Sequence, residues 1–178
     1  MQSLNFTPFP LMTTAQLVLR KLEDSDAAEI FIHRSDERIL EYIDIPKAIT
    51  IEDAKAFINK INKAIIENES IYWGISCKGN NTLIGTICLW NFSREDARAE
   101  IGYVLHPDFQ GRGLMQEAIA AIIDYGFNTL QLHSIEADLH PLNNRSINVL
   151  ERNGFTRVPD SAERDDGLIM YSLVKEVK

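Results

Sequence analysis

The sequence predicts an α+β fold, in which helices flank a mixed, mostly antiparallel sheet of six to seven strands. Two observations carry this prediction. Strand-like segments separated by short polar turns follow one another in the middle of the chain, as in an antiparallel meander. Farther along, a strand, a helix and a second strand follow in that order, which is typical of a parallel crossover. Such a crossover creates a crevice at the carboxyl ends of its strands, where ligands commonly bind.

Apolar spacing and turn signals place each element. The predicted strands cover residues 17–22, 70–77, 82–90, 97–105, 133–139, 155–158 and 168–174. The predicted helices cover residues 24–35, 50–67, 113–130 and 144–153. Between the last two strands, residues 159–167 are predicted to form a polar, acidic loop.

In the first half, local signals support the elements. Acidic residues at the start of the helix over 24–35 suit the positive end of its dipole. Thr50 can cap the next helix, because Asp53 stands at the capping-box position. Residues 78–81, Lys-Gly-Asn-Asn, are typical of a hairpin turn between two strands.

In the second half, the strand over 97–105 leads into a glycine-rich turn, and a helix begins directly after it. The apolar face of this helix is expected to hold the turn against the sheet. The short helix over 144–153 ends at Gly154, a residue type suited to a left-handed cap.

Length and composition fit one globular domain over residues 1–178, in which residues 1–14, with Pro8 and Pro10, form a surface leader. No apolar run is long enough to span a bilayer, and the first residues lack a signal-peptide pattern, so we expect a cytoplasmic protein without a membrane partner. The net charge of −8 disfavours a nucleic-acid partner and mildly favours a cationic substrate.

Cysteines and histidines show no metal or redox pattern. Cys77 and Cys88 lie in strand-like segments without paired cysteines, so we expect buried free thiols. The histidines are not spaced as metal ligands, and we therefore expect no metal site.

The turn over 110–115 is suited to bind an anion. Amide N–H groups at a helix start lack intrahelical partners and point outward at the positive end of the dipole. Gly111 and Gly113 have no side chains, so a phosphate can approach the backbone closely. The Walker pattern is absent, and Gln116 stands where the dinucleotide fingerprint needs a third glycine. From these residues alone, a phosphate site and a plain tight loop both remain open.

Several motifs in sequence narrow the interpretation. The turn over 110–115 has Gln at its first position and Gly at its fourth. Downstream, residues 143–146, Asn-Asn-Arg-Ser, precede a short helix that ends in Gly-Phe at 154–155. Over residues 100–155 the chain resembles the GNAT acetyltransferase superfamily, and especially the branch that includes the ribosomal-protein N-terminal acetyltransferases.

The resemblance implies a GNAT-like fold whose parallel strands splay apart into an acyl-CoA crevice, with acetyl-CoA as the acyl donor. It implies that the turn binds the pyrophosphate, that Asn143 hydrogen-bonds the pantetheine arm, and that a bulge at residues 103–105 aims a backbone N–H at the oxyanion. Met115 departs from the family, which usually has Gly or Ala there. The implied cofactor-binding residues are Tyr103, Val104, Leu105, Gln110, Gly111, Arg112, Gly113, Leu114, Met115 and Asn143.

The resemblance also implies direct attack of an amine on the thioester. Ser146 is the candidate acid, because a hydroxyl near the leaving sulfur can donate a proton or stabilise the thiolate. Glu100 is the candidate base, and strand alternation turns its carboxylate away from Ile101 and Tyr103. Each has a simpler interpretation: Ser146 as a residue in a capped first turn, and Glu100 as an exposed strand residue or an arginine partner.

The ribosomal-type resemblance implies a protein N-terminal α-amine as acceptor. A small-molecule amine, such as a polyamine, amino sugar or antibiotic, and a non-catalytic acyl-CoA-binding module stay open as alternatives. We expect the acceptor to contact the first two helices and the loops over 36–47 and 159–167, and the chain to be a monomer or a homodimer. Six acidic residues either form a rim that attracts cations or are solvated loop charges: Glu95, Asp96, Asp160, Glu163, Asp165 and Asp166.

Overall fold

The computed structural model describes residues 4–159 and 167–176. Within these residues the strands are β1 (Met12–Thr13), β2 (Leu17–Arg20), β3 (Ile71–Cys77), β4 (Leu83–Ser93), β5 (Arg98–Leu105), β6 (Ser134–Leu139), β7 (Thr156–Arg157) and β8 (Ile169–Val174). The α-helices are α1 (Ala27–His33), α2 (Glu37–Leu40), α3 (Ile51–Ile66), α4 (Leu114–Asp124) and α5 (Asn144–Arg152). Short 3₁₀ turns lie at Asp24–Asp26 and Pro107–Phe109, and a π-helical turn over Tyr125–Thr129 continues α4.

The described strands form one sheet in the order β1-β2-β3-β4-β5-β6-β8-β7, and only β5 and β6 run parallel. Their pairing covers just residues 98–100 against 134–136, although both strands continue. Beyond that point β5 stays paired with β4 up to Leu105, and β6 stays paired with β8 up to Leu139. The parallel pair therefore opens at its carboxyl ends, which confirms the predicted mixed sheet with a splayed pair.

The two faces of the sheet are covered differently. Ala99, Ile101 and Leu105 of β5 belong to the main core, which α4 and α5 cover. On the other face, α1 and α3 pack over β3 and β4 in a second apolar cluster. Trp90 and Glu100, which stand opposite each other in the β4–β5 ladder, lie on this second face, and Trp90 is 46% exposed.

Side chains cap the helices as the sequence predicts. Asp53 accepts hydrogen bonds from the N–H groups of Ile49 and Thr50, and Thr50 accepts one from Asp53 N–H, which confirms the capping box of α3. Gly154 follows α5 with a φ of 86°, in the left-handed conformation expected of its cap.

Within the described residues 4–14, Leu4 and Phe6 are buried in the core, so the prediction of a surface leader over 1–14 is wrong for this part of the segment. Phe6 is 1% exposed and packs in the main core. Trp73 Nε1 donates a hydrogen bond to the Pro10 carbonyl at 2.8 Å, and Asn68 accepts one from the Phe6 N–H. The two prolines indicate irregular backbone, but burial of this segment depends on its apolar side chains. Its short strand β1 raises the strand count from six or seven to eight.

Three local features also differ from expectation. β4 and β5 pair in one register from Gly85–Leu105 to Trp90–Glu100, so there is no bulge at 103–105, and the irregularity lies between Trp90 and Ser93. Helix α2 lies within the predicted loop over 36–47, because the Asp36 side chain caps its start. Helix α4 ends at Asp124 and continues as a π-helical turn, where a Cβ on Gly126 would lie 3.0 Å from Ile135.

Candidate active site

A cleft of about 1000 Å³ opens where β5 and β6 diverge. The cleft is lined by the end of β5, the turn before α4 with its first residues, one face of α5, and α2 with the residues after it. Among the lining residues are most of the predicted set: Tyr103, Val104, Leu105, Gln110, Gly111, Gly113, Leu114, Met115, Asn143 and Ser146. Arg112 and Glu100 do not line the cleft.

The turn before α4 has the backbone conformation of an anion site. Gly111 and Gly113 have φ angles of 75° and 74°, which few residue types other than glycine adopt. A Cβ added to either would have no neighbour within 4 Å, so the space in front of the backbone is open. Gly113 directly precedes α4, whose first N–H groups have no intrahelical acceptor. These features fit a phosphate group held by backbone amides at a helix start.

Met115 is accommodated because its side chain packs in the core. It is 8% exposed and belongs to the same apolar cluster as Ala118 and Ile119 of α4. The side chain of Met115 is therefore largely withdrawn from solvent, while its backbone N–H remains in the first turn of the helix. A long apolar residue at this position is compatible with the phosphate site.

Gln110 and Arg145 connect the two sides of the splay. Gln110 Nε2 donates to the Leu105 carbonyl at 3.0 Å, and Arg145 donates from a guanidinium nitrogen to Gln110 Oε1 at 2.6 Å. Arg112 instead donates to the Asp108 carbonyl at 2.8 Å, and its guanidinium lies over the Phe109 ring. The side chain of Gln110 therefore organises the cleft, and that of Arg112 folds back outside it.

Ser146 is fixed at both of its backbone polar groups. Asn143 Oδ1 accepts a hydrogen bond from the Ser146 N–H at 3.2 Å, so Asn143 caps α5. The Tyr103 hydroxyl lies 3.4 Å from the Ser146 carbonyl oxygen. Burial raises the pKa of Tyr103, so its hydroxyl stays protonated at neutral pH.

One face of α5 adds positive charge that the sequence analysis missed. Arg145, Asn148, Val149 and Arg152, at positions i, i+3, i+4 and i+7, all line the cleft. Within residues 4–159 and 167–176, no acidic side chain pairs with Arg145 or Arg152. The seven-residue spacing of the two arginines was the available signal.

Glu100 lies on the opposite face of the sheet from Tyr103, as strand alternation predicts. It is directly opposite Trp90 on β4 and Glu136 on β6, at the last paired position before the splay. Its Oε1 accepts a hydrogen bond from the side-chain amide of Asn91. Glu136 forms an ion pair with Arg98 at 2.7 Å. Glu100 therefore lies where β5 and β6 begin to diverge, on the face of the sheet opposite to the cleft.

The two cysteines and the candidate metal ligands form no site among the described residues. Cys88 is buried, Cys77 is half-buried, and both are free; burial raises the pKa of the Cys88 thiol to about 11. No group of His, Cys, Asp or Glu within the described residues could hold a metal ion.

The same part of the chain has no helix long and apolar enough to cross a membrane. Of the proposed acidic rim, Asp96 accepts a hydrogen bond from Ser93, and the residues at 160, 163, 165 and 166 lie outside the described residues.

Known proteins resemble this chain in sequence and in fold. Residues 16–156 match the family model of the acetyltransferase (GNAT) domain. The chain is 34% identical over 168 residues to the uncharacterized N-acetyltransferase p20 of Bacillus licheniformis, which covers 91% of this chain and 94% of that protein. It superposes on the crystal structure of a GNAT-family acetyltransferase from Bacillus anthracis with a TM-score of 0.80 and 26% identity, over 93% of this chain and 98% of the other.

Two relatives have named acceptors. The ribosomal protein uS5 alanine N-acetyltransferase of Escherichia coli is 29% identical over 153 residues, which are 82% of this chain and 78% of that enzyme. The spermidine N(1)-acetyltransferase of the same organism is 25% identical over 141 residues, 78% of this chain and 72% of the other. The domain match, the likeness to p20 and the shared fold show that this chain belongs to the GNAT family of N-acetyltransferases, enzymes that use acetyl-CoA as acyl donor.

Proposed function

We propose that the chain transfers an acetyl group from acetyl-CoA to a protein N-terminal α-amine. The splay between β5 and β6 is the observation that carries this proposal. It places a glycine turn suited to phosphate and the Ser146 hydroxyl on one cleft, with Glu100 at the opposite face of the same opening. The likeness to the uS5 alanine enzyme supports an α-amine acceptor.

The residues of the cleft fit the donor. The N–H groups around Gly111, Gly113 and the first turn of α4 would hold the pyrophosphate. Asn143 uses its Oδ1 for the cap, which leaves its Nδ2 amide group for a pantetheine carbonyl. The backbone at the end of β5 would supply a further N–H for the developing oxyanion.

Ser146 and Glu100 would handle the protons of the transfer. The amine nitrogen forms a bond to the acetyl carbon, the carbon–sulfur bond breaks, and its electron pair stays on sulfur. Ser146 gives its hydroxyl proton to that sulfur. An acceptor that arrives as an ammonium ion first loses one proton to solvent. Glu100 then takes the second proton that the attacking nitrogen loses, and this proton returns to Ser146 through solvent. One thiol and one amide therefore form for each thioester and amine consumed.

The position of Glu100 separates its task from donor binding. Its carboxylate is oriented by Asn91 and lies beside the partly exposed Trp90. An amine that approaches from this face reaches the opening without passing through the cleft on the other side. Nearby Glu136 is paired with Arg98, so the negative charge at this position that favours a cationic acceptor comes from Glu100.

A small polyamine is the second candidate acceptor. The likeness to spermidine N(1)-acetyltransferase favours it, and so does the carboxylate of Glu100 beside the splay. Both candidates use the same donor cleft and the same chemistry. They differ only in which amine binds at the face of the sheet that carries Trp90 and Glu100.

Thiol release from acetyl-CoA tests the acceptor. The panel contains alanine-starting and serine-starting peptides, the same peptides with acetylated N-termini, and spermidine. We expect turnover with a free α-amine and none with its blocked form. Turnover with spermidine and with none of the peptides would contradict the α-amine acceptor and favour a small-molecule amine. Binding of acetyl-CoA without turnover on any amine would favour a non-catalytic acyl-CoA-binding module.

Substitution of Ser146 tests the acid. We expect Ser146→Ala to lower kcat about a hundredfold, because general acid catalysis is lost, while acetyl-CoA affinity changes little. Ser172→Ala, on β8 away from the cleft, is the matched control and should keep full activity. An unchanged kcat in Ser146→Ala would exclude the acid role.

A further inference from the structure

We infer that Trp90 is a specificity-determining residue for the acceptor, because its indole N–H is placed to donate to the carbonyl group that follows a protein α-amine. The inference rests on the proposed function, in which Glu100 takes a proton from that amine. It goes further by naming the chemical unit that the site selects. This unit is an α-amino acyl group, which spermidine lacks.

The indole of Trp90 leans over Gly102 of β5. Trp90 stands directly opposite Glu100 in the β4–β5 ladder, so the two side chains share one face of the sheet. A Cβ added to Gly102 would lie 3.8 Å from Trp90 Nε1, and among the described residues the only other atom within 4 Å of that point is Cys88 Sγ. Gly102 is only half-buried. The missing side chain therefore leaves an accessible space between the Glu100 carboxylate and the indole N–H.

A break in the ladder turns Asn91 toward the same face. Consecutive side chains of a regular strand point to opposite faces, which would direct Asn91 away from Trp90. Asn91 instead has a φ of 47°, and the register between β4 and β5 shifts between Trp90 and Ser93. Its side-chain amide donates to Glu100 Oε1. Glu100 Oε2 has no hydrogen bond within residues 4–159 and 167–176, so it is left for the acceptor nitrogen.

The spacing suits an α-amino acyl group. Residues 100 and 102 are two positions apart on β5, which is about 7 Å along a strand. An α-amine nitrogen and the carbonyl oxygen that follows it are about 3 Å apart, and with a hydrogen bond at each end the unit spans up to about 9 Å. The amine can therefore contact Glu100 while the carbonyl oxygen accepts from Trp90 Nε1.

The indole N–H of Trp90 has no acceptor in the described part of the chain. The other tryptophan, Trp73, donates to the Pro10 carbonyl instead. Because Trp90 is 46% exposed, water satisfies its N–H before the acceptor binds. An acceptor that covers the indole displaces this water, and a carbonyl oxygen replaces the lost hydrogen bond, whereas the methylene groups of a polyamine leave the donor unpaired. Glu100 attracts both kinds of amine, so Trp90 is the residue that distinguishes them.

Trp90→Phe tests the N–H, since phenylalanine keeps an aromatic ring at position 90. With an alanine-starting peptide, we expect kcat/KM to fall about tenfold, mostly through the KM of the peptide, while KM for acetyl-CoA stays unchanged. With spermidine and isopropylamine, which have no carbonyl group, variant and wild type should agree. Tyr171→Phe is the matched control, because it removes an aromatic hydrogen-bond donor that contacts Glu151 outside the cleft. It should match wild type with the peptide.

Acrylamide quenching of tryptophan fluorescence gives a readout that needs no turnover. Trp73 is 0% exposed, so Trp90 supplies the emission that acrylamide can quench. With CoA in place of acetyl-CoA, the alanine-starting peptide cannot react. We expect this peptide to protect Trp90 from acrylamide, and the same peptide with an acetylated N-terminus to protect it less, because the amine that contacts Glu100 is lost.

The outcomes separate this inference from the proposed function. Equal peptide kinetics in Trp90→Phe and wild type would overturn the inference and leave the proposed function standing, and so would an equal loss with all three amines. Wild-type turnover of spermidine but of no peptide would overturn both. If wild type acetylates no amine, the proposed function fails and quenching decides the rest: protection of Trp90 by the peptide supports this site, and unchanged quenching overturns it.

Discussion

Gly85 faces the backbone at the end of β5. It stands opposite Leu105 in the β4–β5 ladder, and the Val104 carbonyl oxygen lies 2.4 Å from the place that a Cβ on residue 85 would occupy. No side-chain movement can relieve such a contact, because the opposing atom belongs to the main chain. Val104 and Leu105 line the cleft, so Gly85 controls the position of the strand that borders the cleft.

We expect Gly85→Ala to lower the free energy of unfolding by about 2 kcal/mol, since the β5 backbone must shift, and to weaken acetyl-CoA binding. Urea unfolding and titration calorimetry measure the two effects. Gly102→Ala is the control, because its Cβ would meet only Cys88 Sγ at 3.1 Å and the Trp90 ring at 3.8 Å. It should cost less and leave affinity unchanged. Wild-type affinity in Gly85→Ala would contradict this account of β5.

His33 is a buried base on α1. It is 3% exposed, and its Nδ1 has no hydrogen-bond partner within the described residues. Burial, and to a lesser degree the nearby ring of His106, lowers the pKa of His33 from 6.5 to about 4. The unfolded chain therefore binds this proton more readily than the native one. The contribution of neutral His33 to stability is complete above pH 6.5 and is lost as the pH falls toward 4.

We expect this histidine to lower the free energy of unfolding by about 2 kcal/mol between pH 7 and pH 5. Urea unfolding at the two pH values measures the loss in wild type and in His33→Gln, which lacks the titrating group. His133→Gln, at an exposed position, is the control and should keep the wild-type pH dependence. An equal pH dependence in His33→Gln and wild type would show that other groups cause the loss.

At the scale of elements, α5 carries both the candidate acid and the free positive charge of the cleft. Ser146 lies in its first turn, and Arg152 lies at its last residue on the cleft-lining face. CoA bears a 3′-phosphate in addition to the pyrophosphate that the turn before α4 would hold. We therefore expect the guanidinium of Arg152, which has no acidic partner within the described residues, to bind the 3′-phosphate.

We expect Arg152→Gln to weaken CoA binding about tenfold, because a charge-assisted contact to phosphate is lost, and to leave the binding of 3′-dephospho-CoA unchanged. Titration calorimetry with both ligands measures the difference. Arg94→Gln, in the exposed turn after β4, is the control for a lost positive charge and should bind both ligands as wild type does. Equal losses for the two ligands would show that Arg152 does not distinguish the 3′-phosphate.

The sequence could predict the elements and contacts that depend on neighbours in the chain. The capping box of α3, the capped first turn of α5, the left-handed Gly154 and the open glycine turn at 111 and 113 all depend on a few consecutive residues. The four-residue helix α2 was missed, because so short an element has no helical period to detect.

Contacts between distant parts of the chain could not be predicted in this way. Burial of Phe6 depends on packing against the sheet, including the ring of Phe92 at 5.9 Å. The bonds from Tyr103 to Ser146 and from Arg145 to Gln110 join residues 43 and 35 positions apart. They exist only because α5 returns to the end of β5. Alternation did predict that Glu100 and Tyr103 face opposite ways, yet not that Glu100 would lie outside the cleft.

At the scale of the whole molecule, the proposed function assigns the donor and the acceptor to the two faces of one sheet, on either side of the splay. The face under α4 and α5 presents open backbone amides and free guanidinium groups, in a chain whose net charge is −8. The other face presents carboxylates and Trp90 beside the same opening. In the proposed function, the anionic donor and a cationic acceptor would approach from opposite sides of the sheet and meet at the splay.

Acetyl-CoA titration of two Gly113 variants tests the central claim most directly. Asn and Asp have nearly the same shape and both tolerate the left-handed conformation, so Gly113→Asn measures the cost of a side chain and Gly113→Asp adds only a negative charge. If the turn holds the pyrophosphate, Gly113→Asn binds acetyl-CoA more weakly than wild type, and Gly113→Asp shows no measurable binding. Equal affinities of the Asn and Asp variants would contradict the placement of the donor at this turn.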